Sequence, residues 1–464
     1  MLYKSFFLLF FALLSLQCTK SNSELNNQKN IVAQIGPAVI TSDEFLTNYE
    51  FGFTHLKSPM NPKLSYLKAM INEKLLSLEG YNNNIHKNKN IQHKKAQLNK
   101  DLLIEYLLKK EVNSLITISD NEIKNAINKS SVSYNLRFWT EENLELANNT
   151  FENIRHNGFK HFIEKIILDN PDINLSIDQF ETGYMSWLDF PEELHNSIKD
   201  LPLNAISQPV HFNDKYWIFQ VLNIRRSGVL ESEYSSKSAT FKKILYQNKL
   251  STATTHYVSS LMIPKDIRTK YEPFNILSSF VWKWLKTNTG DTQPFVAYLQ
   301  NKPDAMLDDW MSKPLITHID GEITVDEFAH TFDFSLLQNN FPNKNAMMQK
   351  FNLEIAWFIR DHFLVELALE KQINRLPELK KELKLWVDKW VYEEFRQNYT
   401  LNELSLKLEQ LKNIYPIKIN SIILDSIEVT GTTKSRWLTV HNYKMGTNRM
   451  AIPIVDGSWK LAPK

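Results

Sequence analysis

The chain has 464 residues, which is enough for about three folded domains at roughly 150 residues each. Its 43% hydrophobic and 23% charged residues, with a mean hydropathy of −0.35, exclude both a disordered chain and a polytopic membrane protein. The net charge of +2 gives no overall electrostatic basis for nucleic-acid binding, the single cysteine excludes a disulfide scaffold, and the 11 glycines favour a helix-rich protein.

The first 18 residues have the pattern of an export signal. An apolar run from Phe6 to Leu16 follows Lys4 and is too short for a permanent transmembrane helix. The only cysteine, Cys18, comes where this run ends, and the arrangement resembles a bacterial lipoprotein signal. We therefore predict lipidation of Cys18, a polar tether over 19–30, and a location in the cell envelope or periplasm, anchored to the inner or outer membrane. An ordinary signal peptide or a short anchor is the alternative.

Two segments of the chain repeat each other, residues 35–45 and 319–328. Each reads as an apolar strand, a turn, and a helix start with an aromatic fourth residue, Phe45 or Phe328. Each also contains a Thr-x-x-Glu capping box, formed by Thr41 with Glu44 and by Thr324 with Glu327.

Amphipathic helices follow both copies of the repeat. Apolar residues recur at spacings of three and four in each: Leu67, Met70, Ile71, Leu75 and Leu78 in the first copy, and Ile355, Phe358, Ile359 and Phe363 in the second. Further helices are predicted at about 92–115 and 119–129, and at about 376–398 and 402–413. Their apolar stripes require cover from a neighbour, from the other copy, or from a bound polypeptide.

The region between the copies has a different periodicity. Residues 132–139 alternate as a half-buried strand, helices follow at about 141–156 and 158–168, and two strand-like segments lie at 206–212 and 216–224. The order β-α-α-(β)-α-β-β predicts a small α+β domain. We expect these domains: a helical module over 31–130, the α+β domain over 131–228, a connecting region over 229–272 with a long helix at about 231–262, and a second helical module over 273–424. No fold is predicted for 425–464.

Several sequence segments, taken together with their order along the chain, resemble the parvulin-type foldases of the bacterial envelope, the SurA, PrsA and PpiD group. The resemblance rests on residues 35–45, 183–188, 201–210 and 214–224, and on the long helix after them. It covers about 31–270 well, with 315–424 as a weaker second copy of the N-terminal module. It implies a helix-rich α+β fold, in which SurA-N-like helical modules flank a small parvulin-like prolyl isomerase domain.

The resemblance fails at the catalytic positions. The family places one histidine on the first strand, where this chain has Asn135 or Arg137, and another on the last strand, where it has Trp217. Leu194 stands where the proline pocket of the family usually has phenylalanine. We therefore predict no catalytic residues, and a peptide-binding remnant of the proline pocket formed by Met185, Trp187, Leu194, Ile198 and Trp217.

No pattern predicts a metal site or a cofactor. The 12 histidines are scattered and lack the spacing of metal ligands, and no nucleotide-binding or nucleophile motif is present. The basic stretch at 86–95 reads as a solvated helix face or as a surface beside anionic lipid headgroups. Aromatic clusters at 280–284, 357–363 and 386–390 indicate either core packing or an apolar groove for extended polypeptides.

The sequence favours an envelope chaperone that binds unfolded secreted or outer-membrane proteins. Its expected partners are extended client polypeptides and, through the N-terminal lipid, a membrane; no nucleic acid, small-molecule substrate or cofactor is expected. An active peptidyl-prolyl cis-trans isomerase that uses other residues is one alternative. A structural or adhesive surface lipoprotein that reuses the fold is another.

Overall fold

The structure, a computed structural model, describes residues 30–287, 294–300, 309–337, 340–429, 442–444, 447–448 and 452–461. Cys18, the signal segment and the tether up to residue 29 lie outside the described residues, so their predictions stay predictions. In the described ranges, no helix is both long enough and apolar enough to cross a membrane.

The secondary structure is dominated by helices. In chain order they are α1 (Ser42–Phe51), α2 (Pro62–Asn82), α3 (Lys89–Glu111), α4 (Asp120–Ser130), α5 (Leu144–Asn157), α6 (Phe159–Asp169), α7 (Glu192–Ile198), α8 (Glu231–Met262), α9 (Tyr271–Thr287), α10 (Phe295–Gln300), α11 (Val325–Thr331), α12 (Lys344–Glu370), α13 (Pro377–Arg396), α14 (Leu401–Ile414) and α15 (Ser421–Ser426). The strands are β1 (Ile31–Ile35), β2 (Ala38–Thr41), β3 (Val132–Glu141), β4 (Glu181–Ser186), β5 (Val210–Phe212), β6 (Lys215–Arg226), β7 (Arg268–Thr269), β8 (Pro314–His318), β9 (Gly321–Thr324), β10 (Ile417–Ile419), β11 (Asn442–Lys444) and β12 (Thr447–Asn448). The predicted class, α+β and helix-rich, is confirmed.

Packing divides the chain into two compact units. The helical unit takes the described residues of 1–111 and 258–464, and the sheet unit contains 112–257. The grouping differs from the expected domains in two ways: both helical modules belong to one unit, and α4 and most of α8 belong with the sheet. The cause is apolar packing, because Ile123 and Ile127 of α4 are buried against Phe241 of α8.

The repeat predicted from the sequence forms two equivalent substructures in the helical unit. The β1–β2 hairpin is extended by β10, and the β8–β9 hairpin is extended by β7. Phe45 and Phe328, the aromatic residues of the two helix starts, are both 0% exposed. The helix that follows each hairpin thus places one buried aromatic ring in a separate core cluster.

The two predicted capping boxes differ. At Thr324 the box is complete, because the hydroxyl accepts from the Glu327 amide while Glu327 accepts from the Thr324 amide at 2.9 Å. At Thr41 only half of it forms: the hydroxyl accepts from the Glu44 amide at 3.3 Å. The Glu44 carboxylate pairs instead with Lys74 at 3.2 Å, so that prediction is wrong in its second hydrogen bond.

The helices of the two copies are exchanged. Helix α2 of the first copy packs against α13 of the second, and α3 of the first packs against α12 and α13 of the second. Contacts at these crossings include Gly80 with Val391 and the ion pair of Glu111 with Lys371 at 2.9 Å. The predicted apolar stripes are covered in different ways. The buried residues of the first, Leu67, Met70, Ile71 and Leu75, share a core cluster with Tyr392 and Phe395 of the second copy. Those of the second, Ile355, Ile359 and Phe363, are buried in a cluster of their own copy.

A buried ionic cluster joins α2 to α13. The Lys74 ammonium lies 3.2 Å from a carboxylate oxygen of Glu44 and 3.4 Å from one of Asp388. Asp388 also receives Lys384 at 2.8 Å, although that lysine side chain is 67% exposed. Burial acts to lower the pKa of Lys74, but the carboxylates of Glu44 and Asp388 outweigh it and raise the pKa above its ordinary value. Lys74 therefore stays charged in the folded protein.

The C-terminal segment 452–461, for which the sequence predicted no fold, is tied to α1 and α2. The buried Asn48 side chain donates to the Pro453 carbonyl at 3.2 Å and accepts from the Val455 amide at 2.9 Å. Glu73 of α2 accepts from the Asp456 amide at 2.6 Å. These bonds fix the segment over the first core cluster, in which Val455 is 4% exposed.

The sheet unit has the predicted element order. Its four strands form an antiparallel sheet in the order β4-β3-β6-β5. Ile218 of β6 packs with residues of α5 and α6, whereas Leu136 of β3 packs with Leu194 and Ile198 of α7. Because neighbouring residues of a strand point to opposite faces, the two sets of helices cover opposite faces of the sheet.

Candidate peptide-binding groove

The two positions that carry a histidine in the family are not paired with each other across the strands of the sheet unit. Trp217 of β6 pairs with Thr140 of β3, whereas Asn135 pairs with Asn223. Arg137 donates to Glu181 at 2.6 Å and to Gln220 at 3.2 Å. Asn135 and Arg137 are the two candidates for the first histidine position. Neither of them is therefore paired with Trp217.

The surroundings of Trp217 are apolar on the side of β3. The centroid of its ring lies 5.8 Å from that of Phe138. Its second neighbour is Phe219 of the same strand, whose ring is stacked on it at 5.9 Å. The position that carries a histidine in the family is thus part of an aromatic stack in this chain.

Of the five residues predicted to bind peptide, three lie in one apolar cluster, one is paired with a residue of that cluster, and one packs elsewhere. Leu194, Ile198 and Trp217 belong to one apolar cluster, in which Leu194 is 5% and Ile198 0% exposed. Trp217 is half-buried and donates its indole N–H to the Phe212 carbonyl at 3.2 Å. Met185 lies on β4 opposite Tyr134. Trp187 packs in a different cluster, which is formed by residues of α4 and α8. Peptide binding by these residues stays a prediction.

An open cleft lies entirely within the helical unit. It has a volume of about 770 Å³ and lies between α3, the second hairpin and α12. We call it the acidic groove, and define it by the residues that line it: Gln97, Lys100, Asp101, Ile104, His318, Glu322, Ile323, Glu327, Thr331, Phe332, Asp333, Leu336, Glu354, Trp357, Phe358, Arg360, Asp361, His362, Val365 and Glu366. Its volume lies within the usual range for ligand clefts, about 300–1,000 Å³.

Helical periodicity brings these residues to the groove. On α3 the lining residues follow at spacings of three and four from Gln97 to Ile104, and on α12 the same spacing runs from Glu354 to Val365. The exchange of helices between the two copies is what places α3 of the first copy beside the hairpin of the second. The groove is therefore a product of the repeat.

The apolar surface of the groove has a fixed floor and an open edge. Ile104 and Phe332 form part of the floor and are each 7% exposed. Phe358 is held by the edges of neighbouring rings, with its centroid 4.9 Å from that of Phe328. At the edge, Trp357 is 42% and Leu336 48% exposed. Two large, partly exposed apolar side chains in the lining provide apolar surface that an extended polypeptide can bury.

The charge of the groove is strongly negative. Its lining contains seven carboxylates, those of Asp101, Glu322, Glu327, Asp333, Glu354, Asp361 and Glu366, against one lysine and one arginine. Arg360 donates to Asp361 at 2.6 Å, and Lys350 beside the groove pairs with Glu354 at 2.5 Å. The amide and hydroxyl of Thr324 donate to Glu327 and hold the pKa of its carboxyl below the usual range. Glu327 is thus ionised at neutral pH.

The carboxylates of the groove are not arranged as a metal site. In the part of the chain that the structure describes, no group of three or more His, Cys, Asp or Glu side chains could hold a metal ion. The basic stretch at 86–95 lies at the start of α3, where Lys94 and Lys95 are exposed.

The sequence pattern indicates only part of the groove. The aromatic cluster predicted at 357–363 contributes Trp357 and Phe358 to the groove, whereas the cluster at 386–390 does not line it. The acidic lining was missed. A signal was present on α12, where carboxylates recur beside the aromatic pair at helical spacing, but the contribution of α3 depends on tertiary packing.

Comparison with known proteins gives similarity in structure alone. No family model matches the chain, and no curated protein matches it. Among solved structures, it is similar to the foldase protein PrsA from Streptococcus pneumoniae, with 15% identity and a TM-score of 0.24 over 47% of this chain and 86% of that one. It is also similar to peptidylprolyl isomerase (PrsA) from Bacillus anthracis, with 13% identity and a TM-score of 0.24 over 41% of this chain and 96% of that one.

A third similar structure belongs to a pair of structurally related SurA-like chaperones of Campylobacter jejuni, PEB4 and the periplasmic protein Cj1289. It has 13% identity and a TM-score of 0.23, over 52% of this chain and 100% of that one. These three solved structures are thus of foldases and chaperones.

Proposed function

We propose that this protein is a chaperone that holds extended segments of unfolded polypeptides in the acidic groove. The single observation that carries the proposal is an open cleft of about 770 Å³ with a large exposed aromatic residue, Trp357, at its edge. A tryptophan that served only to fill a core would be buried rather than exposed. A surface that buries apolar segments by non-directional contact accepts clients of varied sequence.

The proposed mechanism is reversible holding. A protein that binds the unfolded state lowers the free concentration of that state, and with it the rate of aggregation. Binding of this kind needs no covalent step. The proposed clients are secreted or outer-membrane proteins, because the N-terminal signal predicts a location in the envelope.

The test is suppression of aggregation by the full chain. A β-barrel porin is diluted from urea with increasing amounts of the protein, and light scattering is followed. Trp357→Ala combined with Leu336→Ala should raise the concentration needed for half-suppression about tenfold, the effect of losing about 1.4 kcal/mol of binding. Both side chains are at least 42% exposed, so the fold should persist.

Leu353→Ala provides the matched control, because Leu353 lies on the same helix, is 44% exposed and does not line the groove. It should suppress aggregation as the unchanged protein does. If the unchanged protein suppresses nothing, the chaperone proposal fails and a structural or adhesive lipoprotein becomes the better explanation. If the groove variant is fully active, the client binds elsewhere.

We also propose that the sheet unit does not catalyse prolyl isomerisation. The support is geometric: Trp217 lies opposite Thr140 and next to Phe138, with no histidine at either family position. Stabilising a twisted amide against a barrier of about 18–20 kcal/mol needs placed polar groups. A protease-coupled cis-trans assay on a proline peptide should show the uncatalysed rate. A clear acceleration would establish the enzyme alternative.

The envelope location and the lipid anchor rest on residues 1–18. Metabolic labelling with radioactive palmitate should label the protein in a bacterial host, and Cys18→Ser should abolish the label. A labelled serine variant, or an unlabelled parent, would show that the cysteine is not acylated and that the signal is an ordinary one.

A further inference from the structure

The acidic groove is unlike the rest of the chain in charge. Over the whole sequence, 54 basic residues slightly exceed 52 acidic ones. In the groove, seven carboxylates face one lysine and one arginine, a formal excess of five negative charges. The excess is therefore a local property of this cleft, and it surrounds an opening onto an apolar floor.

The carboxylates of the lining differ in how far they are neutralised. Asp361 and Glu354 each have a basic neighbour, Arg360 and Lys350, and so contribute less to the field. Glu327 is kept ionised by its cap hydrogen bonds, which come from a neutral threonine. Its carboxylate therefore keeps its full charge at the groove.

The charged carboxylates cluster on the hairpin side. Glu322 belongs to β9, Glu327 to the start of α11, and Asp333 to the segment after α11. Asp333 accepts a hydrogen bond from the Ser335 amide at 3.0 Å, which leaves its charge intact. Together these three residues form a negative border along one side of the groove.

The opposite wall presents the aromatic edge. Lys350 lies 5.0 Å from the ring centroid of Trp357, so this ring already accepts a cation on one face. Glu366 on the same helix lies 3.3 Å from His362, and its side chain is 57% exposed. Along α12, Trp357 thus lies between Glu354 and Glu366, and both of these carboxylates line the groove.

We infer that the groove selects client segments in which aromatic or aliphatic residues are flanked by lysine or arginine. The inference deepens the proposed function and rests on it. Apolar burial against Trp357 and Leu336 supplies attraction, while complementary charge supplies the choice among segments. Segments flanked by acidic residues meet like charges and are rejected.

The expected size of the preference follows from exposed ion pairs. Each pair between an occupant cation and a rim carboxylate contributes a modest attraction, and two such pairs give a preference of about fivefold at low ionic strength. The preference should be lost in about 1 M salt, where the screening length falls to about 3 Å. Apolar burial against the groove should remain.

The experiment uses the full chain and three fluorescent peptides with the same apolar core, Phe-Leu-Trp-Leu-Phe. The core is flanked on each side by two lysines, two serines or two glutamates, and binding is followed by anisotropy at about 20 mM and about 1 M salt. At low salt, the lysine peptide should bind about fivefold more tightly than the serine peptide, and the glutamate peptide should bind more weakly than both. At high salt the three affinities should converge.

Charge-reversal variants test whether the groove is responsible. Glu322→Lys combined with Glu366→Lys should abolish the preference for the lysine peptide while leaving the serine peptide unchanged. Glu409→Lys combined with Glu428→Lys changes the net charge equally, at exposed positions outside the groove, and should preserve the preference. If both double variants lose the preference, the selection comes from net charge; if both keep it, the selection comes from a site outside the groove. Either result overturns the inference.

The remaining outcomes separate the inference from the proposed function. Equal affinity of the three peptides, weakened in each case by Trp357→Ala, overturns charge selection and leaves the chaperone proposal standing. No binding of any peptide overturns the proposed function. Sedimentation of the free protein as a dimer that Trp357→Ala dissociates would assign the groove to self-association and overturn both.

Discussion

Gly80 of α2 faces Val391 of α13 so closely that a β-carbon built on Gly80 would lie 2.5 Å from Cγ1 of Val391. The same β-carbon would lie 3.3 Å from the Val391 carbonyl oxygen. This crossing brings one helix of each repeat copy into contact. A glycine within a long helix costs about 1 kcal/mol relative to alanine, so its presence reflects the need for close approach.

Gly80→Ala should therefore destabilise the protein despite the better helix propensity of alanine. Valine is stiff at χ1 and cannot move Cγ1 away freely, so we expect a net loss of about 1–2 kcal/mol in the free energy of unfolding, measured by urea denaturation. Adding Val391→Ala should make the double variant lose less than the sum of the two single changes. Gly228→Ala, where a β-carbon meets nothing within 4 Å, is the control and should be nearly neutral.

Lys74→Met should be strongly destabilising, because it leaves the buried carboxylates of Glu44 and Asp388 without their shared cation. Removing one member of a buried ion pair costs about 3–5 kcal/mol. Lys384→Met removes a cation from the same Asp388, but this lysine is 67% exposed, so its loss should cost less than about 1 kcal/mol. Urea denaturation of both variants measures the two changes in the free energy of unfolding. Equal decreases would show that burial of Lys74 is unimportant.

Asn48→Ala should release the C-terminal segment. The change removes the acceptor of the Val455 amide and the donor to the Pro453 carbonyl. Leaving buried backbone groups without partners costs about 1–3 kcal/mol. Limited proteolysis with mass spectrometry should show earlier cleavage within 452–461. Asn82→Ala, which removes exposed hydrogen bonds to Glu79 and Tyr415, should leave the cleavage pattern unchanged.

His195 should make stability fall in mild acid. Burial, followed by the nearby charges of Lys129 and Lys199, lowers the pKa of His195 below its ordinary value of about 6.5. The unfolded chain then binds a proton more readily than the folded one, so the stabilisation is present above about pH 6.5 and is lost as the pH falls through the lower folded pKa. Urea denaturation at about pH 7.5 and about pH 5.5 should show a larger loss for the parent than for His195→Gln. An equal loss in both proteins would contradict this assignment.

Much of the secondary structure could be predicted because it depends on local patterns. The helix predicted at about 231–262 is observed at Glu231–Met262, and the alternating strand at 132–139 is observed at Val132–Glu141. The box at Thr324 also formed as the spacing predicted, since its two partners are three residues apart. At Thr41 the same spacing failed in part, because the buried Lys74, distant along the chain, competes for Glu44.

The groove could not be predicted, because its walls come from distant parts of the sequence. Trp357 and Ile104 belong to different copies of the repeat and meet only through the exchange of helices. Strand β10 is three residues long, too short to give a periodic signal, yet it completes the sheet begun by β1. The sequence indicated that the apolar stripes needed cover, but it left open which of three partners would supply it.

The N-terminal hairpin obtains its third strand from a distant part of the chain. Asn48 finds its two hydrogen-bond partners 405 and 407 positions further along the chain, and β1 obtains its second neighbour only from β10. Joining such distant parts carries a large entropic cost, so closure is expected to be slow. During that interval the N-terminal core residues are exposed and prone to aggregation. A newly synthesised chain of this protein is therefore as prone to aggregation as the clients that we propose it protects.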